Sequence, residues 1–331
     1  MRRTYDERKA ALSMSTSKHP PSRTRSILRD WTGDADRFRS VHWQRSPVLL
    51  HPSRSALRHI HLEEVDSVLA EGLLHGSYVD LTHPERALPR EAFCSPRLVN
   101  GRPVEGLVDG AKVRTLVRDG ATLILRAVNH WHGGVSELTA GLGEELGRTV
   151  DAAFFVTAAG QRGLELHRDD ADVFVLQVSG SKHWEVYEPP ADGWWQPGPV
   201  RATGPALSVT VRPGDVLHVP RGAAHRTSAP EEPSAHLSVF VHEVNTHDLY
   251  ASLQALLTDG MRLAPRPLGD AALRSTAAAL LDQLTKRLTD ASPDDVVAMA
   301  RRTMLAKAPE LHASPQLAEL VRNETRAHEE G

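Results

Sequence analysis

Residues 163 to 189 read GLELHRDDADVFVLQVSGSKHWEVYEP. The apolar run Val173–Val178 predicts a strand, and a Gly-Ser turn then leads into a second predicted strand, His183–Tyr187. His167 and Asp169 stand two residues apart just before the first strand. Since residues i and i+2 of a strand point to the same face, we expect an imidazole and a carboxylate to project together. Such a pair supplies two of the ligands that a metal ion needs.

Further short strands follow the same pattern on both sides of this stretch. Gly and Pro turns separate them, among them Pro213-Gly214 and Pro220-Arg221-Gly222, and no helical pattern intervenes. Many short strands with turn signals are typical of a barrel or a double-sheet jelly roll. The predicted strands are Ala152–Thr157, Val173–Val178, His183–Tyr187, Leu207–Val211, Asp215–Val219 and His236–Val241.

A third candidate ligand, His225, follows a turn, a strand and another turn in Pro213–His225. A closed β architecture would bring His225 back beside His167 and Asp169. Two imidazoles and one carboxylate are the ligand set of non-haem Fe(II) oxygenases, and they leave positions open for a bidentate co-substrate and O2. On spacing alone, two hydrogen-bonded histidines and a turn aspartate are an equal alternative.

Four blocks of the sequence together resemble the cupin-type JmjC oxygenases, the family of bacterial and eukaryotic ribosomal oxygenases. The resemblance implies a mainly β, α+β fold: a double-stranded β-helix of the cupin or jelly-roll type, followed by a helical segment. It also implies an Fe(II)- and 2-oxoglutarate-dependent dioxygenase that uses O2 to hydroxylate a side chain. The blocks are Leu116–Val128, His167–Pro189, Pro213–His225 and His236-Leu237-Ser238.

Site residues follow from this resemblance position by position. It implies that His167, Asp169 and His225 bind the iron and that no further side chain acts as a catalytic group. It implies that Lys182 pairs with the distal carboxylate of 2-oxoglutarate and that Ser238 helps to hold the same carboxylate. An ammonium group is a strong point-charge partner for a carboxylate.

The chain also departs from the family in ways that leave the substrate open. Many relatives have an Asn-x-Tyr pair where this chain has Ala153 and Phe155, and His218 stands where Tyr is usual. We expect a protein, peptide or amino-acid-like substrate. One alternative is the same chemistry on a peptide natural product or a free small molecule in a biosynthetic pathway. An alternative of a different class is a non-catalytic metal-binding cupin module.

Composition along the chain divides it into three parts. Residues 1–28 are rich in Arg, Ser, Thr and Pro, which predicts a disordered tail. Residues 29–245 form the predicted oxygenase domain. Residues 246–331 form a predicted helical segment, through which a homodimer could assemble. Its helices are predicted at Leu249–Leu257, Asp270–Leu288 and Pro293–Leu305.

Overall composition is that of an ordinary globular protein. The 331 residues are 40% hydrophobic and 24% charged, and the net charge of −3 gives no reason to expect a nucleic-acid partner. Cys94 is the only cysteine, so the chain can form no internal disulfide. No apolar run approaches the ~20 residues of a membrane span, and no secretory signal is expected. We therefore expect a cytoplasmic protein without a membrane partner.

Overall fold

The computed structural model describes residues 26–52, 59–161, 163–191, 193–201, 204–228, 232–261 and 269–307. The helices are α1 (Ile27–Thr32), α2 (Ala35–Val41), α3 (Leu62–Glu71), α4 (Gly110–Arg118), α5 (Gly133–Leu146), α6 (Thr246–Thr258), α7 (Asp270–Asp290) and α8 (Pro293–Ala306). The strands are β1 (Val48–Leu50), β2 (Val79–Thr82), β3 (Cys94–Val99), β4 (Arg102–Val108), β5 (Thr122–Leu125), β6 (Val150–Thr157), β7 (His167–Arg168), β8 (Ala171–Ser179), β9 (Lys182–Val186), β10 (Gly198–Pro199), β11 (Leu207–Val211), β12 (Val216–Val219), β13 (His225–Ser228) and β14 (Ser234–His242).

Two antiparallel sheets form the core of the fold. The larger sheet has seven strands in the order β1-β12-β8-β14-β6-β5-β2, and the smaller has five in the order β10-β7-β13-β9-β11. Consecutive strands such as β8 and β9 lie in different sheets, as they do in a jelly roll. The predicted double-stranded β-helix with a helical C-terminal segment is therefore confirmed.

Strand β8 explains why the central sequence is apolar at nearly every position. Val173 and Val175 pack with Trp184 of β9 between the two sheets. Phe174 and Leu176 point the other way, into the core beneath the helices. A strand that is buried on both faces loses the alternating pattern of a half-exposed strand.

Helices cover the outer face of the larger sheet. In α1 and α2, Trp31 and Phe38 lie with their ring centroids 5.1 and 5.8 Å from that of Phe174. Leu138 and Leu142 of α5 belong to the same core and are almost fully buried. This side of the sheet is sealed by mostly apolar side chains, and the side toward the smaller sheet contains the pocket described below.

The turn between β8 and β9 requires glycine at position 180. Gly180 has a φ of +60°, and a Cβ at this position would lie 1.9 Å from the carbonyl oxygen of Pro233. A residue with a side chain would be strained by the backbone and would also clash. The turn moves the chain from one sheet to the other and places Lys182 at the first position of β9.

The two ends of the described chain pack on the β core. Helix α1 begins at Ile27 and Leu28 is fully buried, so the predicted tail of residues 1–28 ends two residues too late. The rest of that prediction, residues 1–25, lies outside the described residues.

At the other end, strand β14 ends at His242 and α6 begins at Thr246. Arg301 of α8 donates from Nε and Nη2 to the two carboxylate oxygens of Glu243, at 3.2 and 2.8 Å. Arg148, after α5, lies 2.6 Å from the same carboxylate. Because this carboxylate accepts from both guanidinium groups, it joins the C-terminal helices to the end of the sheet. No helix in the described part of the chain is long and apolar enough to cross a membrane.

Candidate metal centre

His167 and His225 face each other across neighbouring strands of the smaller sheet. Strand β13 pairs antiparallel with β7, and His225 is the direct cross-strand partner of His167. The two imidazole centroids lie 4.3 Å apart. Asp169 stands in the short link between β7 and β8, where the chain passes from the smaller sheet to the larger.

The three side chains converge on one point. Asp169 Oδ1 lies 3.6 Å from His167 Nε2, and Asp169 Oδ2 lies 3.5 Å from His225 Nε2. One ligand atom from each residue lies within 4.8 Å of the others, and the described residues contain no second group of three or more such side chains. Two imidazole nitrogens and a carboxylate oxygen are a donor set that fits Fe(II) and leaves coordination positions open.

Backbone carbonyl groups orient both imidazoles. His167 donates from Nδ1 to the carbonyl oxygen of Glu165 at 2.7 Å, and His225 donates from Nδ1 to that of Ala223 at 3.1 Å. The carbonyl hydrogen bonds occupy Nδ1 of each ring, so Nε2 is the nitrogen that faces Asp169 and can bind a metal. Burial and the neighbouring His167 lower the pKa of His225 to about 4, so its ring is neutral at neutral pH.

The route by which His167 and Asp169 converge differs from the prediction. We expected both residues on one face of one strand. The structure instead ends β7 at Arg168 and begins β8 at Ala171, so Asp169 belongs to the link between two sheets. The side chains meet because this link turns, and strand alternation does not apply to them.

Lys182 lines the same cavity as Asp169. Its side chain is 2% exposed, and its Nζ donates to Thr157 Oγ1 at 2.9 Å. No carboxylate forms an ion pair with Lys182 in the described part of the chain. Burial lowers the pKa of Lys182 to about 7. A buried ammonium without a counter-charge is a site for an anionic ligand.

The cavity of about 270 Å³ joins the histidine–aspartate cluster to Lys182. Ser238 of β14 lies in its wall and is 3% exposed. The five residues predicted to bind metal or co-substrate thus line one cavity. Its apolar wall includes Ile124, Phe155, Val173, Val219 and Phe240.

Two of the three residues that depart from the family, Ala153 and Phe155, lie beside this pocket. In the register of β6 and β14, Ala153 is opposite Ser238 and Phe155 is opposite His236. Phe155 stacks on His236 with ring centroids 4.8 Å apart and an interplanar angle of 1°. Strand β6 therefore presents apolar groups here, and the polar groups come from β14.

Sequence reasoning missed several residues in and around the pocket. Thr157, Trp184 and His236 were not singled out, although His236 has the same strand parity as Ser238 and could have been found from it. Asp172, near the start of β8, is fully buried and accepts from Gln44 Nε2 at 3.2 Å. Asp170 accepts from Arg221 Nε at 2.7 Å.

The scan against protein families matches residues 138–249 to the model described as the JmjC domain. The chain contains a JmjC domain. This match includes both candidate histidines, Asp169, Lys182 and Ser238. The resemblance found in the sequence is thereby confirmed.

Curated proteins similar to the JmjC domain and its flanks are oxygenases, and the chain is homologous to them. Ribosomal oxygenase 1 of Gallus gallus is 28% identical over 240 residues, which cover 69% of this chain and 38% of that protein. The bifunctional lysine-specific demethylase and histidyl-hydroxylase NO66 of Aedes aegypti is 36% identical over 120 residues, covering 34% and 19%. The chain spans less than half the length of these relatives.

Solved structures with a similar fold include a ribosomal oxygenase. The X-ray structure of ycfD from E. coli matches with a TM-score of 0.58 and 20% identity, over 87% of this chain and 76% of that one. A structure of YcfD, a ribosomal oxygenase, in complex with cobalt and 2-oxoglutarate matches with a TM-score of 0.52 and 21% identity, over 80% and 69%. These similarities support the assignment of the fold around the JmjC domain.

Proposed function

We propose that this protein is an Fe(II)- and 2-oxoglutarate-dependent oxygenase that hydroxylates an amino-acid side chain in a protein or peptide. The observation that carries the proposal is the convergence of His167, Asp169 and His225 in a cavity that the buried Lys182 also lines. The homologous proteins named as oxygenases and a histidyl-hydroxylase support the same reaction class.

In this proposal His167, Asp169 and His225 hold the iron. The bound iron, with 2-oxoglutarate and O2, supplies oxidative chemistry that no side chain can perform. The contribution of the protein is to present three ligand atoms in fixed orientation. The carbonyl oxygens of Glu165 and Ala223 maintain this orientation through the Nδ1 protons of the two rings.

Lys182 and Ser238 bind the distal carboxylate of 2-oxoglutarate in this account. Thr157 holds the Lys182 ammonium group in place through the 2.9 Å hydrogen bond to its hydroxyl oxygen. The apolar side chains that line the same cavity, such as Val173 and Val219, exclude water and strengthen the attraction between ammonium and carboxylate.

A protein or peptide is the substrate class that we propose, because the relatives carry names of enzymes that act on proteins. We also propose a homodimer through the C-terminal helices. Helix α7 buries no residue within the single chain and exposes Leu273, Leu281 and Leu288. We propose a cytoplasmic location, since the single Cys94 has no partner for a disulfide.

The proposal is tested by reconstituting the purified protein with Fe(II) under anaerobic conditions and then adding 2-oxoglutarate and O2. We expect succinate release by the wild type and none above background by His167→Ala. Equal release by both proteins would contradict the proposal. If the wild type binds iron but releases no succinate with or without cell extract, the non-catalytic cupin module is supported instead.

The substrate class is tested by mass spectrometry after incubation with the proteins and with the small molecules of a cell extract, separately. We expect the mass of one added oxygen atom on a protein or peptide in the first fraction only. Addition confined to the small-molecule fraction would replace our proposal with the biosynthetic alternative.

A further inference from the structure

Four apolar side chains in the wall of the cavity have no part in binding the metal or 2-oxoglutarate in the account above. They belong to one cluster and comprise Ile124 of β5, Phe155 of β6, Phe240 of β14 and Leu164 from the segment before β7. We call these four residues the apolar patch. Ile124 and Phe155 are buried, whereas Leu164 and Phe240 are only partly buried. Apolar surface that stays open in the wall of a cavity indicates an apolar ligand.

Strand β14 connects the apolar patch to the metal ligands. Ser238 and Phe240 lie on the same face of β14, and both line the cavity. Phe240 is directly opposite Val173 of β8, which follows the ligand Asp169 by four residues. A target side chain held against Phe240 therefore lies in the same cavity as the metal centre, as hydroxylation requires.

The charged groups of the cavity wall disfavour a cationic target side chain. Among the described residues that line the cavity, the only carboxylate is that of Asp169, which the metal would use. The wall also contains two basic side chains other than histidine, Lys182 and Arg126. A guanidinium or ammonium group in this cavity would therefore meet basic groups and no available carboxylate, which makes its burial costly.

An acidic or amide target side chain fits the apolar patch no better. The four patch side chains have no hydrogen-bonding group, so a carboxylate or carboxamide held against them would lose its hydrogen bonds to water. Arg126 is 58% exposed and already forms an ion pair with Asp80. The cavity of about 270 Å³ must also hold 2-oxoglutarate, so a compact aliphatic group fits it better than an aromatic ring.

We propose that the side chain hydroxylated by this protein is aliphatic, that of leucine, isoleucine or valine, and that the apolar patch binds it. This inference rests on the proposed function and names the substrate of that site. A C–H bond of the aliphatic group breaks, and a C–OH bond forms with one atom of O2. The other oxygen atom enters succinate as 2-oxoglutarate loses CO2, and the C–H bond and 2-oxoglutarate supply two electrons each.

The test measures how strongly a bound Mn(II) ion relaxes the protons of a small probe in solution NMR. The protein is loaded with Mn(II) and 2-oxoglutarate without O2, and Zn(II)-loaded protein is the diamagnetic reference. The probes are N-acetyl-leucine methylamide and N-acetyl-arginine methylamide. We expect paramagnetic relaxation to be at least about tenfold faster for the leucine methyl protons than for the arginine side-chain protons, because only the aliphatic group gains by burial.

Two variants of one patch residue provide a matched pair. Leu164→Asp and Leu164→Asn introduce side chains of the same shape, and only the aspartate has a carboxylate. We expect both variants to slow the relaxation of the leucine probe. Leu164→Asp should also speed the relaxation of the arginine probe at least about tenfold relative to Leu164→Asn, since a guanidinium group pairs strongly with a carboxylate. The difference between the two variants isolates the charge of the subsite.

The oxidised residue itself provides a second measurement. Peptides of a cell extract that gain one oxygen atom with the Fe(II)-loaded wild type, but not with His167→Ala, are fragmented by mass spectrometry to locate that atom. We expect the oxygen atom on a leucine, isoleucine or valine side chain.

The possible failures are distinguishable. Equal relaxation of the two probes, or none of the leucine probe, in a protein that binds Mn(II) and 2-oxoglutarate would overturn the aliphatic assignment alone. Oxygen located on arginine, histidine, aspartate or asparagine would overturn it as well. A wild type that binds neither Mn(II) nor 2-oxoglutarate would contradict the proposed function and this inference with it.

Discussion

Two histidine–aspartate pairs lie only a few residues apart in this chain, and they have opposite environments. Asp169 and His225 meet in the pocket, with 29% of the aspartate side chain exposed. Asp172 and His218 meet on the helix-covered side of the larger sheet, with Oδ1 and Nε2 3.4 Å apart and at most 1% exposure. The residue types are the same, but only the first pair has access to ligands.

The sealed pair is surrounded by the protein. The ring of His218 lies 5.0 to 5.8 Å from those of Phe38, Trp43 and Phe174. The Asp172 carboxylate accepts from Gln44 Nε2 and from the Arg221 backbone N–H. No third ligand-type side chain joins this pair among the described residues. The comparison teaches that a metal site needs a third ligand and an open side in addition to the right residue types.

The largest effect is expected at the open cluster. Asp169→Ala removes the one anionic ligand, and we expect 2-oxoglutarate-dependent succinate release to fall by at least ~100-fold, since even loss of a residue that only orients a ligand costs 10- to 100-fold. The thermal melt of the metal-free variant should stay close to that of the wild type. Release within a factor of ten of the wild type would contradict the assignment of Asp169.

The sealed pair should respond in the opposite manner. Asp172→Ala leaves a buried histidine and buried donors without their partner, and we expect the free energy of unfolding to fall by about 3–5 kcal/mol. Urea denaturation measures this, with Asp170→Ala as the control. Asp170 is 42% exposed and pairs with Arg221 at the surface, so its loss should cost less than about 1 kcal/mol. Loss of Mn(II) binding by folded Asp172→Ala would contradict the claim that only the open cluster binds the metal.

Lys182 is a third case, a buried amino group that we propose to bind the co-substrate. Its pKa is about 7 in the folded chain against an ordinary 10.5, so the unfolded state binds more protons between these values. The free-energy cost of burying the charged amino group in the folded chain is fully present below pH 7, and it disappears as the pH rises toward 10.5. We expect Lys182→Met to stabilise the metal-free protein by ~3 kcal/mol at pH 7. The same substitution should abolish 2-oxoglutarate binding.

This gain should shrink steadily when urea denaturation is repeated up to pH 10. Thr157→Val, which removes only the hydroxyl that accepts from Lys182, is the control and should bring no such gain. A gain that is independent of pH would mean that the lysine is not the titrating group.

The smallest effect is expected at the edge of the sealed pair. Gln44→Leu removes one hydrogen bond to Asp172, and we expect a loss of about 1–2 kcal/mol in the free energy of unfolding. Succinate release at saturating 2-oxoglutarate should not change. A lower rate in this variant would indicate that the sealed pair acts on the pocket.

Residue chemistry and local turns made the open cluster predictable. The ligand types, the Gly180 turn and the strand Leu207–Val211 could be read from the sequence, and the strand has the same bounds in the structure. The three C-terminal helices were predicted within a few residues of α6, α7 and α8. These features depend on local patterns, which a single sequence contains.

Features that depend on sheet register could not be predicted. Strand β13 and the two-residue strand β7 are too short to give an alternating pattern, although their pairing brings His225 to His167. The hairpin of β3 and β4 was missed because both strands are largely exposed and lack an apolar run. The sealed position of Asp172 depends on where β8 begins, and a shift by one residue would have reversed its direction.

The difference between the open cluster and the sealed pair is tested most directly by titrating Mn(II) and measuring the free ion by electron paramagnetic resonance. Three proteins are compared: the wild type, His225→Ala, and His218→Gln, which keeps a nitrogen donor beside Asp172. We predict one bound ion per chain in the wild type and in His218→Gln, and none in His225→Ala. Binding that survives in His225→Ala, or that is lost in folded His218→Gln, would contradict the account.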